Sequence, residues 1–70
     1  MIRVIGLNKN VYQSILNHNS NIVKRDYLEV CTIEFIPDCA LELSNGVVEI
    51  SCGDNIVHFL MCDFWRMEIE

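Results

Sequence analysis

The four cysteines carry the most reactive side chains in this sequence: Cys31, Cys39, Cys52 and Cys62. No two of them have the Cys-x-x-Cys spacing that most zinc sites and thioredoxin-like redox sites use. Cys39 would face Cys52 across a predicted hairpin, which allows a disulfide or a metal site there. The simpler interpretation is that the cysteines are small buried hydrophobic residues. We therefore predict no bound metal and no cofactor.

His58 and Cys62 are the candidates for a cysteine–histidine nucleophile pair. On a strand they would lie about 13 Å apart, which is too far for a hydrogen bond. The glycines are isolated from one another, so the sequence contains no phosphate-binding loop. No serine has the sequence context of a nucleophile elbow. The sequence therefore predicts a protein that is not an enzyme.

The charge of the chain is negative and unevenly distributed. The formal net charge is −5 and the isoelectric point is about 4.8. Residues 1–35 hold four Lys and Arg against three Asp and Glu, whereas residues 36–70 hold only Arg66 against seven. Binding to a nucleic-acid backbone relies on Lys and Arg. We therefore expect no direct nucleic-acid binding and predict a basic protein surface as the partner.

Hydrophobic periodicity and turn residues predict an α+β fold that is mostly β. A short N-terminal strand over residues 1–5 is followed by one short helix over about 9–18, which Asn8 would cap. Antiparallel strands are predicted over about 27–36, 40–44, 47–51 and 56–61, with 64–69 as an optional fifth. These strands would form a meander of four or five strands, with the helix packed on one face. The 70 residues allow a single small domain.

Turn chemistry predicts the register of this meander. Asn45-Gly46 has the sequence of a type I′ turn, and Gly53-Asp54 has that of a type II′ turn. A three-residue loop over 37–39 gives a register between the first two strands that agrees with both. One face of the sheet then carries a row of four polar side chains: Glu34, Glu42, Glu49 and His58. The other face is apolar and collects Cys31, Ile33, Phe35, Leu41, Leu43, Val48, Ile50, Val57 and Phe59.

The last segment of the chain is apolar and contains Phe64, Trp65 and Met67. Trp and Met are enriched in the cores of protein interfaces, so these residues are a second candidate contact surface. Completion of a small core is the alternative for Trp65. Residues 56–69 form either one long strand or two strands separated by a turn at Cys62-Asp63. A long strand would leave an unpaired end through which a homodimer could form.

These observations predict a small acidic, non-catalytic protein-binding module, such as an inhibitor or adaptor, that docks on a basic partner. The predicted contact residues are Glu34, Glu42, Glu49, Phe64, Trp65 and Met67. Two other hypotheses stay open: a cysteine-based metal- or redox-responsive domain, and a structural subunit of a homo-oligomer. The sequence shows no signal peptide and no membrane span. We therefore expect a cytoplasmic protein with reduced cysteines and no membrane partner.

Overall fold

Two antiparallel β-sheets and one α-helix make up the chain in a computed structural model, which describes residues 1–70. The elements in chain order are β1 (Ile2–Ile5), α1 (Lys9–His18), β2 (Val23–Asp26), β3 (Thr32–Phe35), β4 (Ala40–Ser44), β5 (Val47–Cys52), β6 (Asn55–Leu60) and β7 (Arg66–Ile69). A 3₁₀ turn, Met61–Asp63, separates β6 from β7. The predicted mostly-β α+β fold is confirmed.

The strands divide into two sheets that share one hydrophobic core. Sheet A has the strand order β2-β3-β1-β7, and sheet B has the order β4-β5-β6. The largest buried cluster contains side chains from both sheets and from α1. Val4 and Ile33 of sheet A and Val48 and Ile50 of sheet B are completely inaccessible to solvent. Packing against a common core therefore holds the two sheets together.

The helix occupies the predicted position and has the predicted cap. The Oδ1 atom of Asn8 accepts a hydrogen bond from the backbone N of Asn10 at 2.9 Å, which satisfies one of the free N–H groups at the start of α1. Tyr12 and Ile15 are buried on the inner side of the helix. These two residues attach α1 to the shared core.

Both hairpins of sheet B have the predicted register. Asn45 and Gly46 have φ angles of 52° and 77°, as a type I′ turn requires. Gly53 has a φ of 61°, which fits the first central position of a type II′ turn. Glu49 of β5 lies opposite His58 of β6. The meander predicted for residues 40–60 is therefore correct.

The predicted pairing of the strand at 27–36 with β4 is wrong. β3 is shorter, and it pairs with β2 and β1 in sheet A, so Glu34 lies opposite Lys24 and Arg3 instead of Glu42. Opposite charges on neighbouring strands stabilise a sheet, whereas two glutamates facing each other destabilise it. The loop after β3 carries the chain to the other sheet.

Strand β2 is not predicted by the sequence, and it lies just before the segment 27–36 that was predicted as a strand. Its residues, Val23–Asp26, include only one apolar side chain and so show no alternating pattern. Its register is instead set by contacts with β3, because Val23 is buried beside Phe35 and Lys24 lies opposite Glu34. Residues 27–31, predicted as strand, form the connecting loop.

Leu43 was expected in the core but is 52% exposed. Its cross-strand partner Val48 is fully buried, so the two side chains do point to the same face. Strand β4 is an edge of sheet B, because β3 joins sheet A instead of covering it. Leu43 therefore lies at an open margin of the apolar face.

The C-terminal segment forms two elements instead of one long strand. The 3₁₀ turn ends β6, and Asp63 Oδ2 accepts a hydrogen bond from the backbone N of Leu60 at 2.9 Å. Strand β7 then pairs with β1 along its whole length, from Ile2 opposite Ile69 to Ile5 opposite Arg66. The chain therefore has no long unpaired C-terminal overhang.

Cys39 and Cys52 are joined by a disulfide, whereas the sequence led us to expect four reduced cysteines. The two residues extend the β4–β5 ladder by one pair beyond Ala40 and Ser51, and their Cα atoms are 4.5 Å apart. This separation lies within the range that a disulfide spans. Cys31 and Cys62 are free.

Replacement of Gly6 by alanine is expected to destabilise the protein by about 2–4 kcal/mol. Gly6 has a φ of 72°, and a Cβ added there would lie 2.9 Å from the Cβ of Trp65. That atom is attached directly to the backbone of Trp65, whose N donates to Ile5 O at 3.0 Å, so it cannot move away without disturbing the β1–β7 ladder. Thermal unfolding followed by circular dichroism measures the effect.

The matched control is Gly46→Ala. Gly46 has a similar φ of 77°, but an added Cβ meets nothing within 4 Å. The control therefore isolates the backbone strain, about 1–2 kcal/mol. The melting temperature of Gly6→Ala should lie below that of Gly46→Ala by at least about 4–8 °C, which corresponds to about 1 kcal/mol in a domain of this size. Equal melting temperatures would show that Trp65 does not approach Gly6 closely.

Candidate protein-binding surfaces

A row of alternating charges crosses the outer face of sheet A. Lys24, Glu34, Arg3 and Glu68 lie opposite one another on its four adjacent strands. Lys24 Nζ is 3.3 Å from Glu34 Oε1, and Arg3 Nη2 is 3.4 Å from Glu34 Oε2. Arg3 Nη1 is 3.0 Å from Glu68 Oε1. Each carboxylate in this row therefore has a cation beside it.

Arg3 is the centre of this network. Its Nε atom lies 2.9 Å from Asp26 Oδ2, which adds a third carboxylate to Glu34 and Glu68. The hydrogen bond with Glu68 is the main cause that raises the pKa of Arg3 above its ordinary value; the charge of Asp26 and the hydrogen bond with Glu34 act in the same direction, against desolvation. The Asp26 and Glu34 side chains are only 10% and 13% exposed, so the ion pairs with Arg3 and Lys24 are needed to offset the free-energy cost of burying their carboxylates.

The network continues through Arg66. Its Nη2 atom is 2.8 Å from Glu29 Oε2 and 3.2 Å from Glu68 Oε2. In all, sheet A and its loops engage three cations with four carboxylates: Arg3, Lys24, Arg66, Asp26, Glu29, Glu34 and Glu68. The charges of this half of the molecule therefore nearly cancel.

The charges of sheet B do not cancel. Residues 38–63 contain five acidic residues and no Lys or Arg. Glu42, Glu49 and His58 lie side by side across the three strands, on the side opposite the core. His58 Nε2 is 3.3 Å from Glu49 Oε1, whereas Glu42 is exposed and has no cation within salt-bridge distance. We name these three residues the acidic face.

Exposed apolar side chains flank the acidic face. Val47 and Leu60 lie opposite each other at one end of the three strands, and Ile56 lies at the other end, two residues from His58. Ile56 is 53% exposed and Leu60 is 48% exposed. A partner that neutralised the acidic face could therefore also bury apolar surface on both sides of it.

The structure brings together only some of the predicted contact residues. Glu42 and Glu49 are adjacent on the acidic face, but Glu34 belongs to the ion network of sheet A. Phe64 is half-buried and packs edge-to-face on Phe59, with ring centroids 5.6 Å apart. Met67 is half-buried against the core. Phe64 and Met67 therefore pack against the core, and they and Glu34 are less accessible to a partner than Glu42.

Trp65 is the most accessible residue of the predicted C-terminal set. Its side chain is 69% exposed, and the guanidinium carbon of Arg66 lies 4.7 Å from its ring centroid. Its backbone N donates to Ile5 O, which places it at the end of sheet A where β1 ends and β7 begins. Trp65 therefore does not serve as a core residue.

The sequence did not predict the most exposed apolar segment of the chain, the loop between β2 and β3. Tyr27, Leu28 and Val30 of this loop are 82%, 81% and 82% exposed. Asp26 Oδ1 accepts a hydrogen bond from Leu28 N at 2.9 Å, and this local turn holds the start of the loop. Tyr and Val favour strands, so the composition of this segment predicted a strand instead of a loop. An Asp two residues before Leu28 is the one signal for a turn in this segment.

No group of three or more His, Cys, Asp and Glu side chains is arranged to hold a metal ion. The single α-helix has neither the length nor the apolar composition needed to cross a membrane. No protein family, curated protein or solved structure shows significant similarity to this chain.

Proposed function

We propose that this chain is a small non-catalytic protein-binding module that docks through the acidic face on a basic surface of a partner protein. The observation that supports this proposal is the unequal pairing of charge in the two sheets. Sheet A engages three cations with four carboxylates, whereas residues 38–63 carry five carboxylates without one Lys or Arg. The negative charge of the protein is thereby concentrated on sheet B.

The position of Glu42 and Glu49 makes this negative charge suitable for binding a Lys or Arg side chain of a partner. The two glutamates lie directly opposite each other across β4 and β5, and like charges in such a pair repel. A Lys or Arg side chain of a partner could approach both carboxylates at once and remove that repulsion. Complementary charge of this kind increases the association rate and fixes orientation, while burial of Val47, Ile56 and Leu60 would slow dissociation.

The face does not depend on the redox state of the neighbouring cysteines. The Cys39–Cys52 disulfide lies one residue pair beyond the end of the β4–β5 ladder. Five residue pairs join β4 to β5 within the ladder itself, including Glu42 with Glu49. The two carboxylates therefore stay adjacent whether or not the disulfide is present. A partner whose own activity requires its basic surface would be inhibited by such docking.

Glu42→Lys is expected to abolish binding to a basic partner while the melting temperature changes little. Glu42 is exposed and forms no salt bridge, so the stability should change by less than about 0.5 kcal/mol. Affinity capture from a cell extract, followed by mass spectrometry, compares the proteins retained by the wild type and by the variant. Retention by the wild type should fall steeply at high salt, because the Debye length shortens from about 8 Å at 0.15 M to about 3 Å at 1 M.

Glu70→Lys is the matched control, because it changes the net charge by the same amount at an exposed residue outside sheet B. It should retain the same proteins as the wild type. Equal losses in the two variants would show that net charge alone causes retention, and the acidic face would then not be a specific surface. Retention that does not change with Glu42→Lys would also contradict the proposal.

A further inference from the structure

A groove of about 400 Å³ lies between α1 and the β2–β3 loop, away from the acidic face. Arg25 stands in this groove between two aromatic rings. Its guanidinium carbon is 5.8 Å from the ring centroid of Tyr12 and 5.6 Å from that of Tyr27, within the range of cation–π contacts. Tyr12 is buried in the core, so one of the two rings in contact with Arg25 is held in a fixed position.

Arg25 is the one uncompensated charge in the groove. The groove is also lined by Asp26 and Glu29. Asp26 is already in contact with Arg3 and accepts a hydrogen bond from Leu28 N, and Glu29 is bound by Arg66. Arg25 itself has no carboxylate within salt-bridge distance. Its planar donors can therefore bind a carboxylate from another molecule.

Three exposed apolar side chains also line the groove. Leu28 and Val30 line it together with Tyr27, and more than four-fifths of each of these side chains is exposed. At protein interfaces, an Arg that dominates the binding energy is surrounded by further contacts that exclude water from it, and the exposed apolar side chains beside Arg25 could make such contacts. The groove therefore combines one cation held beside two aromatic rings with exposed apolar side chains.

We propose that this groove binds a segment of a partner protein in which an Asp or Glu side chain is flanked by apolar side chains. The carboxylate would pair with Arg25, and its neighbours would pack on Leu28 and Val30. This site goes beyond the acidic face, since it uses different residues and a charge of opposite sign. An anionic membrane is a less suitable occupant, because a lone Arg contributes about 1 kcal/mol there and the protein carries a net charge of −5.

Titration of the ¹⁵N-labelled chain with two capped tripeptides tests this proposal. One peptide carries glutamate between two leucines, and the other carries glutamine in its place. The amide resonances of residues 25–31 should shift with the glutamate peptide, and the glutamine peptide should bind about tenfold more weakly, the difference expected for a charge-assisted hydrogen bond. Equal binding of the two peptides would overturn the role of Arg25.

Three variants separate the site from general effects of charge and folding. Arg25→Gln should remove the preference for glutamate. Lys9→Gln removes the same charge from an exposed residue outside the groove and should keep the preference. Leu28→Ser, at a side chain that is 81% exposed, should weaken both peptides without disturbing the fold. Equal effects of Arg25→Gln and Lys9→Gln would overturn the proposal.

Two further measurements exclude other occupants. If phosphatidylserine–phosphatidylcholine vesicles shifted the same amide resonances, the groove would bind a membrane and not a peptide. If the resonances shifted when the protein alone was concentrated, the groove would bind a second copy of the chain. Either result overturns the proposal. The variant Glu42→Lys should bind the glutamate peptide as the wild type does. This comparison tests the proposal for the groove independently of the proposal for the acidic face.

Discussion

Glu34→Lys is expected to unfold much of the protein, whereas Glu42→Lys is expected to leave it folded. The Glu34 side chain is 13% exposed and lies between Arg3 and Lys24, at 3.4 and 3.3 Å. A lysine there would place three cations together and remove one carboxylate partner from Arg3. Breaking a buried ion pair costs about 3–5 kcal/mol, which we reduce to about 2–4 kcal/mol for the remaining exposure of this site.

Urea unfolding followed by circular dichroism measures this difference. A domain of this size rarely has more than about 3–5 kcal/mol of net stability, so the expected loss at Glu34 is most of the total. Glu34→Gln serves as the intermediate case, because it removes the charge and keeps the shape. In a meander that paired β3 with β4, Glu34→Lys would instead relieve repulsion by Glu42 and would not destabilise the protein. A stable Glu34→Lys variant would therefore contradict the observed sheet order.

Phe35→Ala is expected to have the largest effect on stability of any single change in the core. Phe35 is 1% exposed and belongs to the cluster that joins both sheets. Truncation of a buried Phe costs about 3–5 kcal/mol through lost burial and the cavity that remains. This loss equals the whole net stability of a domain of this size, so the variant should be largely unfolded without denaturant. Far- and near-ultraviolet circular dichroism would show the loss directly.

Ile36→Ala is the neighbouring control for Phe35→Ala. Ile36 is 41% exposed and holds its place through a backbone hydrogen bond from its N to Ile22 O at 2.9 Å, which the substitution leaves intact. We expect a cost below about 1 kcal/mol. Should Phe35→Ala and Ile36→Ala unfold at the same urea concentration, Phe35 would not be the core residue described here. Both variants are compared under identical redox conditions, so that the Cys39–Cys52 bond is the same in each.

The two proposed binding surfaces share no residues and carry opposite charges. The acidic face lies on sheet B, and the Arg25 groove lies beside the β2–β3 loop of sheet A. The ion network around Arg3 has no residue in the acidic face, and it shares Asp26 and Glu29 with the lining of the Arg25 groove, where Arg3 and Arg66 already pair with them. An adaptor requires two separate contact surfaces, and these two proposals together would supply them.

The sequence by itself determined the local elements of sheet B and the helix. Asn45-Gly46 and Gly53-Asp54 predicted both hairpins with the correct registers, and Asn8 predicted the start of α1. Signals of this kind are reliable because they act within a few residues. A turn that requires positive φ at two positions accepts few sequences, and a cap satisfies a backbone group next to it. The placement of Glu42 and Glu49 on one face follows from these turns alone.

The tertiary structure decided which strands lie next to each other. By its turn residues alone, β3 could have paired with β4 in a meander, because the loop over 37–39 allowed that register. It pairs with β1 instead, where Val4 and Ile33 are buried opposite each other and Arg3 forms an ion pair with Glu34, 31 residues away in the sequence. Turn chemistry does not encode such distant contacts. The outward charges of the four strands complement one another in this order, and that pattern becomes visible only when those strands are side by side.

The same choice of neighbours decided which apolar residues stay exposed. Because β3 leaves sheet B, β4 becomes an edge and Leu43 stays half exposed. Because β2 pairs with β3, Tyr27, Leu28 and Val30 form a projecting loop instead of a strand. Apolar type indicates what a side chain would gain from burial, but available neighbours determine whether burial occurs. The groove beside Arg25 arises from this loop, and for that reason only the folded chain reveals it.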